Sequence, residues 1–181
     1  MRLTDYTDYS LRALIYVAAH PDEPVTIQHI ADAYGIPRNH LIKIVQKLGQ
    51  VGFLRTTRGR AGGLRLGREP KDINIGEVVR STESDFAMVE CFHDDNRCII
   101  TRACVLKHVL QRAMEAWFEV LDGVTLQDLV DKPAALNRAF SQALSLGDVR
   151  DELREAAAEA AAAKGSKPPR RTRSPRPIGS A

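Results

Sequence analysis

A chain of 181 residues with 44% hydrophobic content is long enough to bury one substantial core. No apolar run approaches the ~18 residues of a membrane-spanning helix, and the charged opening Met1-Arg2-Leu3-Thr4-Asp5 lacks the apolar stretch of a secretory leader, so a cytoplasmic location with no membrane partner is expected. The net charge of +3 arises in the tail: from Lys164 onward there are six basic residues and no acidic one, whereas the preceding residues carry 20 basic against 23 acidic side chains.

In chain order, apolar positions at Tyr6, Tyr9, Leu11, Ala13, Leu14, Val17 and Ala18 mark a first helix over residues 5–20. Asp8 suits the positive end of its dipole. Thr26 is placed to cap a short second helix over 27–34, and Gly35 supplies a tight turn. Pro37 suits the first turn of a third helix running to about Leu48, with Leu41, Ile44, Val45 and Leu48 inward and Gly49 and Gly52 bounding its end. Helix, short helix, turn, helix is the helix-turn-helix order. It leaves Arg38, Asn39, His40, Lys43, Gln46 and Lys47 on the outer face of the third helix, where they would meet DNA.

Residues 53–57 and 64–66 alternate around a Gly-rich turn and predict a hairpin, the wing of a winged-helix domain. Residues 53–68 hold five arginines and no acid, a local basic element on an acidic body. Arg58 and Arg60 at the tip would reach phosphates or the minor groove. A helix starting over 72–80 is expected to pack under the wing. From Thr82 to Cys104 no period is visible, and the segment reads as a loop with at most a turn of helix. Leu106, Leu110, Ala113, Trp117, Val120 and Val124 then describe a seam along a long helix suited to association with a second copy. Thr125 to Asp128 resembles a capping box opening a further short helix.

The organisation expected is a mainly α fold with a small β-hairpin wing. A winged helix-turn-helix DNA-binding domain spans 1–80, and a cofactor-binding loop spans 81–105. A dimerisation helix with a short helix occupies 106–131, an Ala-rich helical extension 132–163, and a disordered basic tail 164–181.

Cys91, Cys98 and Cys104 fall in one polar loop, six and five residues apart. An odd number in a reducing compartment argues against disulfides. Thiolates so clustered suit an iron–sulfur cluster. A Cys3His zinc site using His93 or His108 remains an alternative, although the close C-x₂₋₄-C pair usual for zinc is absent. Three structural cysteines would want more apolar neighbours. No nucleophile–base pair, phosphate loop or dinucleotide fingerprint is present, so no enzyme is expected. An iron–sulfur or zinc protein without a regulatory role, and a bare DNA-binding module, stay open on the residues alone.

Five stretches carry a resemblance: Met1-Arg2-Leu3-Thr4 with Thr7-Asp8-Tyr9; Pro37 to Leu41; Thr57-Arg58-Gly59-Arg60-Ala61-Gly62-Gly63-Leu64; Asp72-Ile73-Asn74-Ile75-Gly76; and Val89-Glu90-Cys91-Phe92. Over residues 1–130 the chain resembles the winged-helix iron–sulfur regulators that include NsrR, RirA and IscR, and within them the NsrR branch. That resemblance implies a homodimeric repressor on a palindromic double-stranded operator, released when nitric oxide attacks its cluster. It also implies Asp8 of the partner subunit as fourth ligand beside the three cysteines. A 4Fe–4S cluster is preferred and 2Fe–2S is the alternative. An iron-responsive repressor of the RirA type is the second reading, because the Val89 to Phe92 entry is close to that branch as well.

Overall fold

A computed structural model of the chain describes residues 2–57, 59 and 62–145. The expectations for the structures of Arg58 and Arg60, for the extension past residue 145 and for the tail lie outside the described residues. The chain divides near residue 144, and the unit before that point holds every element below.

Helix α1 (Asp5–Ala19) starts on Thr4, whose hydroxyl accepts the Thr7 N–H at 3.3 Å. Helix α2 (Ile27–Tyr34) opens with a reciprocal cap. Thr26 accepts the His29 N–H at 3.1 Å, and the His29 ring accepts the Thr26 N–H at 3.4 Å. Gly35 ends it at φ +64°, a left-handed conformation that glycine adopts without steric cost. Helix α3 (Arg38–Val51) runs through Gly49 and stops at Gly52, φ +86°, one turn later than the predicted end at Leu48. The Gly52 and Phe53 N–H groups bond back to Gly49 and Leu48 carbonyls, so the end of the helix is fixed by the positive-φ residue.

Strands β1 (Leu54–Thr57) and β2 (Gly63–Leu66) pair antiparallel, with Leu54 opposite Leu66 and Arg55 opposite Arg65. Leu64 also exchanges backbone bonds with Val25 at 2.7 and 3.1 Å, a one-residue third rung that the sequence did not announce. Helix α4 (Ile75–Thr82) is capped by Asn74, which accepts the Glu77 N–H at 3.1 Å. The predicted helix start over 72–80 is thus split between a 3-10 turn at Pro70–Asp72 and α4. Helix α4 packs on α1 and α5 rather than under the wing, because its buried Ile75, Val78 and Val79 face the core. A link to the wing base remains in the Arg68–Glu77 pair, at 3.0 Å.

Helix α5 (Val105–Asp122) is long, as predicted, but ends before Val124, whose carbonyl instead receives the Ile75 N–H. Helix α6 (Leu126–Leu129) opens on the expected box: Asp128 accepts the Thr125 N–H at 2.8 Å, and the Thr125 hydroxyl accepts the Asp128 N–H at 3.4 Å. Residues 133–145 form a further helix, α7. Its Phe140 is buried against Tyr16, His20 and Tyr34, with ring centroids at 4.8, 5.8 and 5.6 Å. The main core lies between α1, α2, α3 and the wing, around Leu14, Ile30, Leu41, Ile44, Leu48 and Phe53. Among the described residues no helix is long and apolar enough to cross a membrane.

Candidate functional site

The period of α3 sorts its residues into two faces. Leu41, Ile44, Val45 and Leu48 are buried, while Arg38, Asn39, His40, Lys43 and Gln46 are exposed and Lys47 is half-exposed. The expected DNA-facing residues of this helix therefore share one solvent face. Ile42 lies among them, 39% exposed, and sequence reasoning passed over it. The signal was available: Ile42 is out of phase with the inward spacing, so it had to face outward. Packing from α1 steadies this face, since the Tyr6 hydroxyl donates to the Lys43 carbonyl at 3.3 Å and Tyr9 lies 6.3 Å from the His40 ring.

The three cysteines are free thiols, each partly exposed, on the segment that joins α4 to α5. That segment is irregular apart from a 3-10 turn at Glu90–Phe92, which holds Cys91. Cys104 sits at the N-cap of α5. Two side chains staple the loop internally. The Glu90 carboxylate accepts the Arg97 N–H at 2.9 Å, linking the neighbours of Cys91 and Cys98. The Thr101 hydroxyl lies 2.8 Å from both the Asn96 side-chain oxygen and the Cys98 carbonyl. At the root of the loop, Phe86 meets Phe118 of α5 edge-on at 4.9 Å.

The donor set fits an iron–sulfur cluster in its chemistry: three thiols without disulfide partners, supplied by one loop. Among the described residues no three His, Cys, Asp or Glu side chains converge closely enough to hold a metal ion. Binding therefore requires the thiols to be brought together. The Cys3His zinc arrangement is likewise not formed: the His93 ring lies 3.7 Å from the Asp85 carboxylate.

Asp8 projects from the first turn of α1 and is paired with Arg12 one turn on, at 2.8 and 3.1 Å. The Arg12 guanidinium lies over the Tyr34 ring at 5.7 Å. Burial pushes the Tyr34 phenol up to about 12; Arg12 opposes that rise, while Tyr16 and Asp8 add to it. A route from α1 to the loop exists through Thr4, whose N–H and hydroxyl both donate to Glu83, at 2.7 and 3.1 Å. Sequence reasoning missed this tie, because its partners lie 79 residues apart.

Residues 3–132 match the family model described as Rrf2, iron-dependent transcriptional regulator. The chain is 57% identical over 132 residues to the HTH-type transcriptional regulator NsrR of Bacillus subtilis (strain 168), covering 72% of this chain and 90% of that protein. It is 46% identical over 144 residues to the NsrR of Geobacillus kaustophilus, covering 78% and 98%. Among solved structures, IscR of T. potens superposes with a TM-score of 0.60 at 27% identity, over 72% of this chain and 87% of that one. CymR, the global cysteine regulator of B. subtilis, gives the same TM-score and identity over 72% and 97%. The family model covers most of the chain, the relatives and the winged-helix neighbours agree with it, and the chain belongs to the Rrf2 family of transcriptional regulators.

Proposed function

We propose that this regulator is a homodimeric DNA-binding repressor that senses nitric oxide through an iron–sulfur cluster, of the 4Fe–4S type, on Cys91, Cys98 and Cys104, with Asp8 of the partner subunit as fourth ligand. The observation that carries the reading is one chain joining an exposed polar and basic face of α3 to three free thiols on the loop between α4 and α5. The identity to NsrR proteins supports the NsrR branch, for which the resemblance implies nitric oxide as the signal. When bound, the cluster supplies iron that reacts with nitric oxide.

The chain's own residues do the rest. Arg38, Asn39, His40, Lys43 and Lys47 approach base edges and phosphates in the major groove, and Ile42 adds an apolar contact of the kind that reads thymine methyls. Arg58 and Arg60 extend the contact from the wing. Two recognition helices in a two-fold dimer meet half-sites about one helical turn apart, so the dimer's geometry controls affinity. A carboxylate is the hardest donor of the ligand set and the weakest partner for a thiolate-held iron. Asp8 must also leave Arg12 to serve, which makes the ion pair a competitor for the ligand.

The test is anaerobic purification of the full chain, followed by a nitric oxide titration read by visible absorbance and by operator binding. A brown protein with a band near ~400 nm that bleaches as the operator is released agrees with the reading. A colourless protein overturns it. The Asp8→Ala variant is expected to lose its chromophore faster than wild type, and equal retention removes Asp8 from the ligand set. Iron sensing is the second reading, favoured by the family's description as iron-dependent. It predicts operator release by an iron chelator with indifference to nitric oxide.

A further inference from the structure

A cavity of about 440 Å³ opens between the C-terminal end of α1 and the base of the wing. Val17, Pro21, Leu66 and Pro70 give it apolar walls, and Arg55, Arg65, Arg68, His20 and Glu69 supply its polar groups. That size lies within the ~300–1,000 Å³ of small-molecule sites, and a lining so rich in charged groups favours a charged ligand over an apolar one.

The arginines are not equivalent. Arg68 is committed: it forks onto both Glu77 oxygens at 3.0 and 3.1 Å, donates to the Val51 carbonyl at 3.2 Å and covers the Phe53 ring. Arg55 and Arg65 stand directly opposite each other across the hairpin. Like charges so placed destabilise a strand pair. Among the described residues neither has a carboxylate partner, and Arg65 spends one N–H on the Pro21 carbonyl at 2.9 Å. Most of their ten guanidinium N–H donors are therefore uncommitted at the edge of a cavity.

Two features oppose an anion there, and both are weak. Glu69 is a single carboxylate against two guanidinium groups that have no carboxylate partner among the described residues. The negative end of α1 is already answered, since the His20 N–H reaches the Val17 carbonyl, the His20 ring lies 2.8 Å from the Tyr16 carbonyl and Arg65 covers Pro21. A tetrahedral oxyanion, which accepts several charge-assisted N–H bonds at once, suits two arginines carried on paired strand positions.

We propose that Arg55 and Arg65 form a phosphate-binding site at the wing base, separate from the face of α3. The phosphate is that of a small phosphate monoester lodged in the cavity. This site does not rest on the DNA-binding reading above, to which any contact of the wing with DNA phosphates already belongs.

The experiment uses the full chain, the Arg55→Gln, Arg65→Gln and double variants, and Arg112→Gln as a surface-charge control. Inorganic phosphate and glycerol 3-phosphate are titrated by calorimetry against chloride at matched ionic strength. Binding to a random-sequence duplex is measured in parallel as a function of salt. Saturable binding of either phosphate, weakened about tenfold or more in the double variant, identifies a small-molecule site. No binding of free phosphate overturns the proposal, and a salt slope reduced by about 1.8 in the double variant but unchanged in Arg112→Gln then assigns both arginines to the DNA backbone instead. If the double variant alters neither titration nor slope, the proposal is overturned. Should wild type fail to bind any duplex at low salt, the DNA-binding reading falls with the backbone assignment, and the calorimetry alone decides.

Discussion

Arg80 grips Asp122 with both ends of its guanidinium, Nη2 to Oδ2 at 2.7 Å, and lies over the Phe118 ring at 4.1 Å. The hydrogen bonds from Arg80, then its charge, hold the Asp122 carboxyl below the usual carboxylate range. A depressed carboxylate favours the folded state above the ordinary Asp value, and that contribution is lost as pH falls through the folded value. Urea unfolding across the acid range is expected to show wild-type stability declining on acidification, with a shallower decline in Asp122→Asn. An identical decline would mean that the pair contributes nothing in solution, as many exposed pairs do. Space constrains a second residue. A Cβ at Gly67 would run into the Gly52 carbonyl, and Gly52 cannot yield because its positive φ ends α3. Gly67→Ala should cost about 1–3 kcal/mol in urea denaturation through overpacking.

Among the elements, those defined by local chemistry were legible in the sequence. The caps at Thr26 and Thr125 came from hydroxyl residues at the head of apolar periods, and the hairpin from alternation around glycines. The polar face of α3 followed from the apolar one, so six candidate DNA contacts could be named before any fold was seen. What a face packs against is not written locally. Helix α4 was assigned to the wing and lies on α1 and α5, because an amphipathic face specifies burial but no partner. The thiols were legible as a group, whereas the staples from Glu90 and Thr101 depend on loop geometry that no period encodes. Helix α7 is the extreme case, since one ring in a nearly featureless stretch decides where it docks. Phe140→Ala is expected to lower stability by about 3 kcal/mol, the low end for deleting a buried phenyl ring. The same variant should let Tyr34 ionise below its present value of about 12, read as tyrosinate absorbance in an alkaline titration. An unmoved titration would show that α7 does not cover that ring.

For the whole molecule, α5 poses the question of what lies outside a single chain. None of its residues is buried, and Val105, Leu106, Val109 and Val120 are all more than half exposed. Beside them Leu3, Met88, Ala113, Met114 and Trp117 line a hollow of about 340 Å³. Apolar surface so concentrated calls for cover, and under the proposed function a second copy supplies it. A Val109→Asp, Val120→Asp double variant should sediment as a monomer and bind the operator far more weakly; a dimer that survives both charges would move the interface elsewhere. The bond between Thr4 and Glu83 has a consequence in time as well as in space. Ribosomal synthesis at ~5–20 residues per second separates those two residues by roughly 4–16 s. For that interval the leading helix of the newborn chain has its own cap and no distant brace. Its completion waits for the stretch that leads into the cysteine loop, so the first helix and the entrance to that loop reach their final form together.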